Sequence, residues 1–180
     1  MKTLFTYLLI ACFFCASAFT SKTVVAPSPD QIAQTIFRSL LTANATTFAT
    51  TYDVDVPDLE WYKKKIESDS LIDPETKEEF VREFTASMHK SNKELPSDFD
   101  AKWLGYLKAK GIKKEEIKYV DCYYILTNKK IGIPILGLEI KFINKETYHY
   151  IDLSLLEING HWKGVYINNV NACDKYFDGY

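Results

Sequence analysis

The chain has 180 residues, 22 lysines and arginines against 24 aspartates and glutamates, and a formal net charge of −2. That length suits one domain, and a near-balanced charge with no basic stripe excludes the electrostatic footprint of a nucleic-acid binder. The short runs Lys63-Lys64-Lys65 and Lys113-Lys114 are each followed closely by carboxylates and read as solvated helix faces; internal repeats and low-complexity segments are absent.

The opening residues, MKTLFTYLLIACFFCASA, combine one positive charge at Lys2, an apolar run from Leu8 to Ala16 and small residues at Ala16 and Ala18. These are the parts of a cleaved secretory signal over residues 1–18. The run is shorter than the roughly 20 residues that cross a bilayer, so no transmembrane segment is expected in the mature chain. Leu9-Ile10-Ala11-Cys12 also resembles a lipobox, whose use would leave a lipidated Cys12. Loss of Lys2 takes the basic count to 21 against 24 acidic residues, a net charge of −3. The expectation is a secreted or periplasmic protein with a spacer at 19–27 and one α+β domain at 28–180. Cys12 and Cys15 form a C-x-x-C inside the signal, where it has no redox or metal meaning. Cys122 and Cys173 remain, and in an oxidising compartment they are candidates for one disulfide, with two free thiols as the alternative.

Ser28-Pro29-Asp30-Gln31 predicts a helix start, with Ser28 as cap, Pro29 in the first turn and Gln31 closing a capping box. Ile32, Ile36, Phe37, Leu40 and Leu41 follow at helical spacing. A short second helix is expected over 47–52, after Asn44-Ala45-Thr46, which is also a glycosylation sequon. Three further helices are predicted to start at Val56-Pro57-Asp58, Asp73-Pro74-Glu75 and Pro96-Ser97-Asp98, with Gly111 as the last stop. Phe80, Val81, Phe84 and Met88 make one apolar stripe and Trp103, Leu104 and Leu107 another, both expected in the core.

Beyond Gly111 the character changes. Residues 117–127, 133–143, 148–158 and 161–170 are rich in β-branched and aromatic residues and are parted by short polar turns, which predicts an antiparallel meander. Helices followed by strands give α+β, with the helices on one sheet face. Asn159-Gly160 between apolar runs is a type I′ hairpin signal. That turn pairs Ile158 with His161, Glu157 with Trp162, Leu155 with Gly164 and Leu153 with Tyr166. Trp162, Tyr166 and Leu153 then share the core face, and His161 lies opposite, beside the turn. With Val120, Cys122, Tyr124 and Leu126 also inward, Tyr124, Trp162, Gly164 and Tyr166 outline either a packed core or a small-ligand pocket between helices and sheet.

No H-E-x-x-H, G-x-S-x-G, P-loop or dinucleotide glycine pattern occurs. His149 and His161 fall at opposite ends and faces of one hairpin, so they cannot share an ion. No catalytic residue, metal site or cofactor is assigned from these patterns.

The segments SPDQIAQTIFRSLL, NATTFATTY and LLEINGHWKGVYI, within residues 28–52 and 117–170, resemble the NTF2-like superfamily. The resemblance implies a cone of curved antiparallel sheet with helices lining its open face. It also implies either an exported non-catalytic binding or accessory domain, for a small apolar ligand or a protein partner, or an isomerase- or lyase-like enzyme using a pocket tyrosine and a carboxylate. The chain departs from the family pattern in its helical region 57–111 and in Asp121 and Asp152, which alternate away from the apolar set.

Overall fold

The computed structural model of the chain describes residues 27–128 and 132–175; the expected signal and residues 19–26 of the spacer lie outside them. Helix α1 (Pro29–Thr42) begins at the expected capping box: Gln31 N donates to Ser28 Oγ at 3.3 Å, and Ser28 N donates to Gln31 Oε1 at 2.9 Å. Helix α2 (Ala45–Tyr52) starts two residues before its expected position because Asn44 Oδ1 accepts from Thr47 N at 2.8 Å and caps it. Asp55 and Asp58 form a second capping box on α3 (Val56–Ser68), and Asp73 caps α4 (Pro74–Asp98).

The helix expected to start at Pro96 does not begin there. Helix α4 runs through Pro96 into a π-helical turn (Phe99–Leu104) and then α5 (Gly105–Lys110), stopping at Gly111 with φ 64°. The reason lies in Leu95, Phe99, Trp103 and Leu107, all buried and spaced by four. On an α-helix of 3.6 residues per turn that spacing drifts by about 40° per step. A wider π turn takes up the drift and keeps the four side chains on one stripe, which outweighs the hydrogen bond that Pro96 cannot donate.

Strands β1 (Ile117–Asn128), β2 (Pro134–Asn144), β3 (Thr147–Ile158) and β4 (His161–Cys173) form the expected meander, a curved, unclosed antiparallel sheet in the order β1-β2-β3-β4. Asn159 and Gly160 take φ 52° and 77°, as a type I′ turn requires, and Ile158↔His161 and Glu157↔Trp162 pair as expected. Two residues further on, the expected register fails. Gly164, at φ 59°, is a bulge: Leu156 pairs with Lys163 but Ser154 pairs with Tyr166, and Leu153 pairs with Ile167. The extra residue reverses the alternation, so Tyr166 leaves the face that holds Trp162.

Helices also cover both sheet faces rather than one. On the first face Leu138, Ile140, Phe142, Ile151, Leu153 and Ile167 pack against α1, α2 and the Leu95–Leu107 stripe, where Trp103 Nε1 donates to the Leu40 carbonyl at 3.0 Å. On the second face, at the hairpin end of the sheet, Leu156 and Ile158 pack with Val54, Tyr62, Ile66, Phe84 and Met88. The adjacent pair Leu155-Leu156 explains this: neighbouring strand residues point to opposite faces, and both are buried.

Cys122 and Cys173 are free thiols. They belong to β1 and β4, the two outer strands, separated by three inter-strand steps of about 4.8 Å each. A disulfide tolerates a Cα separation of only about 4.4–6.8 Å, so the expected bridge is corrected to two separate cysteines.

Candidate functional site

The stripe Phe80, Phe84 and Met88 on α4, at i, i+4 and i+8, faces the second side of the sheet, with Glu83 and Ser87 one row over. Together with Tyr62 of α3 and Ile135, Leu156, Ser154, Tyr166 and Asn168 of the sheet, these residues line a cleft of about 470 Å³. Its lining is mainly apolar, the composition of a small-ligand site.

Tyr62 is 1% exposed and packs its ring on Phe84, centroid to centroid 3.9 Å. Its hydroxyl is buried with no hydrogen-bond partner among the described residues, and burial pushes its pKa up to about 12. Such a group costs about 1–3 kcal/mol relative to a satisfied one. The polar margin is ordered. Ser87 Oγ lies 3.5 Å from Tyr166 Oη, and Asn168 Nδ2 donates to Asp152 Oδ1 and Ser154 Oγ, both at 3.1 Å.

Asp152 also lines a second hollow of about 280 Å³ on β1 and β2, with Tyr123, Ile125, Gly137 and Glu139. Gly137 pairs with Ser154 and Glu139 with Asp152, so the hollow adjoins the cleft across Asn168. A Cβ on Gly137 would meet only the Ile125 carbonyl, at 3.7 Å, which leaves the floor of the hollow low. Glu139 and Asp152 are like charges directly opposite on neighbouring strands, an unfavourable arrangement by itself. Lys141 stands two residues from Glu139 on the same face, with its Nζ donating to the Lys175 carbonyl at 2.6 Å.

Helix α3 is held over the cleft by Lys163, whose ammonium donates to Asp58 and, at 3.4 Å, to Asp55. Burial pulls the Lys163 pKa down, but the two carboxylates outweigh it and raise the value above the ordinary lysine range.

Of the four residues expected to share a pocket, Tyr166 lines the cleft. Gly164 lies at its end, where a Cβ would stand 3.5 Å from Met88 Sδ. Trp162 is on the first face, half-buried beside Tyr52 and α1. Tyr124 is on the outer strand β1, 55% exposed, bordering the smaller hollow. The structure does not bring the four together. His161 is exposed beside the turn and lines neither hollow. His149 is buried on the first face, stacked on Phe142 and hydrogen-bonded through Nδ1 to Tyr106 Oη at 2.8 Å; burial, with Lys110 nearby, lowers its pKa.

Tyr62, Glu83 and Phe84 were not among the sequence candidates, and Asp152 entered only as a carboxylate alternating away from the apolar set. The i, i+4 rows of α4 carried part of the signal, but which sheet face they meet depends on the bulge at Gly164. Among the described residues, the nearest arrangement to a metal site is Asp30, Asp121 and Cys122, with ligand atoms within 4.8 Å of one another. Burial raises the Cys122 thiol pKa, which disfavours the thiolate that binds metals. Comparison of the chain with protein-family models, curated proteins and solved structures found no match.

Proposed function

We propose that the chain is an exported, non-catalytic binding domain of NTF2-like type whose cleft between α3, α4 and the second sheet face takes a small apolar ligand. The observation that carries this reading is the Tyr62 hydroxyl, buried beside an open apolar cleft with no hydrogen-bond partner among the described residues. A ligand with one polar atom at that depth would satisfy it while covering Phe80 and Phe84.

The test uses Nile red, an uncharged apolar dye, with the mature protein. Blue-shifted emission on binding is expected, and Ser87→Trp, at the exposed margin of α4, should fill the cleft and remove it. Dye binding that survives Ser87→Trp, or no binding by the wild type, argues against the reading.

A protein partner is supported by a different feature. β1 is an outer strand, with Tyr124, Ile125 and Leu126 each more than half exposed, and such an edge invites a further strand. Ile125→Lys should then weaken partner capture without altering dye binding. The isomerase- or lyase-like alternative gains from Asp152 facing the cleft side. It requires a bound ligand to be converted, whereas a binding domain returns it unchanged.

A further inference from the structure

We infer that Asn44 is the acceptor of one N-linked oligosaccharide, carried on its side-chain nitrogen at the corner between α1 and α2. This rests on the export reading and adds a covalent modification on the side of the molecule that the cleft does not use.

Asn44-Ala45-Thr46 has an asparagine, a hydroxyl two residues on and no proline between them. Both Asn44 and Thr46 are exposed. The capping role of Asn44 divides its amide. Oδ1 accepts from Thr47 N at 2.8 Å, which turns Nδ2 away from the first turn of α2, and Nδ2 makes no hydrogen bond among the described residues. A glycosylated asparagine keeps its carbonyl, so the cap and the sugar coexist. The Thr46 hydroxyl is unbonded too. Thr35, Thr42, Thr50 and Thr51 each donate to the carbonyl four residues back, but for Thr46 that carbonyl belongs to α1 and lies outside its own helix.

The corner is held from both sides. The Leu40 carbonyl accepts from Trp103 Nε1 at 3.0 Å, the Ala43 carbonyl accepts from Lys114 Nζ at 3.2 Å, and Phe48 is fully buried one turn into α2. A sugar on Asn44 displaces none of these contacts, and it stands clear of the cleft, whose lining comes from α3, α4 and the sheet. The nearest rival is Asn171-Ala172-Cys173, with a thiol in place of the hydroxyl. There Nδ2 is engaged, donating to Asn169 Oδ1 at 3.0 Å and to Tyr150 Oη at 3.3 Å. A glycan leaves the nitrogen one hydrogen, so at least one of those bonds would be lost.

The co-reactant is a lipid-linked oligosaccharide diphosphate. Asn44 Nδ2 attacks the anomeric carbon, the C–N bond forms as the C–O bond to the diphosphate breaks, the nitrogen gives up one proton, and the lipid diphosphate leaves with the bonding electron pair.

The experiment translates the full-length precursor in the presence of endoplasmic-reticulum microsomes and reads two things, protection from added protease and mass. The wild type should be protected and carry one upward mass shift that peptide N-glycosidase removes. Thr46→Ala and Asn44→Asp, both of which keep a capping oxygen at residue 44, should be protected and unshifted, and Thr46→Ser should retain the shift. A protected wild type without the shift, or a shift that persists in Thr46→Ala and is lost in Asn171→Gln, overturns the inference and leaves export standing. A wild type that is neither protected nor shifted removes both.

Discussion

Lys163 of β4 donates to the Asp58 carboxylate in the first turn of α3, and this contact joins the helix carrying Tyr62 to the strand carrying Tyr166. Asp58 is buried, whereas the Lys163 side chain is 21% exposed, so solvent screens part of the pair. Asp58→Ala should destabilise the protein by about 2 kcal/mol in urea denaturation, below the 3–5 kcal/mol of a fully buried broken pair. The folded pKa of Lys163 is raised, so its contribution is fully present below the unfolded lysine value and is lost as pH rises through the folded one. In Lys163→Met, the part of the alkaline loss of stability above about pH 10.5 due to this residue should disappear.

Gly164 and Gly160 both have positive φ, 59° and 77°, yet their surroundings differ. A Cβ at Gly160 meets nothing within 4 Å, whereas one at Gly164 meets Leu156 at 3.3 Å and Val54 at 3.4 Å. Gly160→Ala should cost about 1 kcal/mol from backbone conformation alone, and Gly164→Ala should cost more because the Leu156 and Val54 side chains must also give way. Thermal melts of the two variants make the comparison. Equal costs would mean that the bulge is not pressed against Met88 and Val54. A larger residue at Gly164 therefore disturbs the bulge and is no test of ligand uptake.

His149 is held neutral by burial, with its pKa below the ordinary histidine value. The unfolded chain then binds the extra proton first, so stability is full above about pH 6.5 and falls as pH drops through the folded pKa. Between pH 7.5 and 5.5 the urea midpoint should decrease, and His149→Leu should flatten that slope. Lys110, Tyr106, Tyr150 and Cys173 are the titratable groups around this pair.

Cys122 and Cys173 should both react with an alkylating reagent under denaturing, non-reducing conditions, adding two labels to the intact mass. Zero labels would require β1 and β4 to approach, which the order β1-β2-β3-β4 forbids.

Much of the fold was legible because local chemistry specified it. Ser28 and Gln31 announced α1, Gly111 stopped the last helix, and Asn159-Gly160 set the final hairpin. The cleft was less legible, for one reason with two consequences. A strict alternation from Asn159-Gly160 carries Trp162 and Tyr166 to one face, but Gly164 inserts a residue between them, and a glycine in a strand can equally mark a bulge or a close contact. Once Tyr166 turns over, the apolar residues of alternate parity, Leu156 and Ile158, acquire meaning as a second core. Tyr62 and Phe84 are found only through that second core. Pro96 misled for a similar reason: its local preference was outweighed by four buried residues at a spacing of four.

Met88 is the single methionine after the expected signal, since the chain has only Met1 besides it, and its sulfur lies at the end of the cleft against Gly164. Methyl-labelled methionine therefore provides one NMR signal at the site. Titration with Nile red should move the Met88 methyl resonance along a saturating curve, and Tyr62→Phe should weaken that curve. A Met88 resonance that stays in place while the dye's blue-shifted emission records binding would put the ligand elsewhere and contradict the cleft as the functional site.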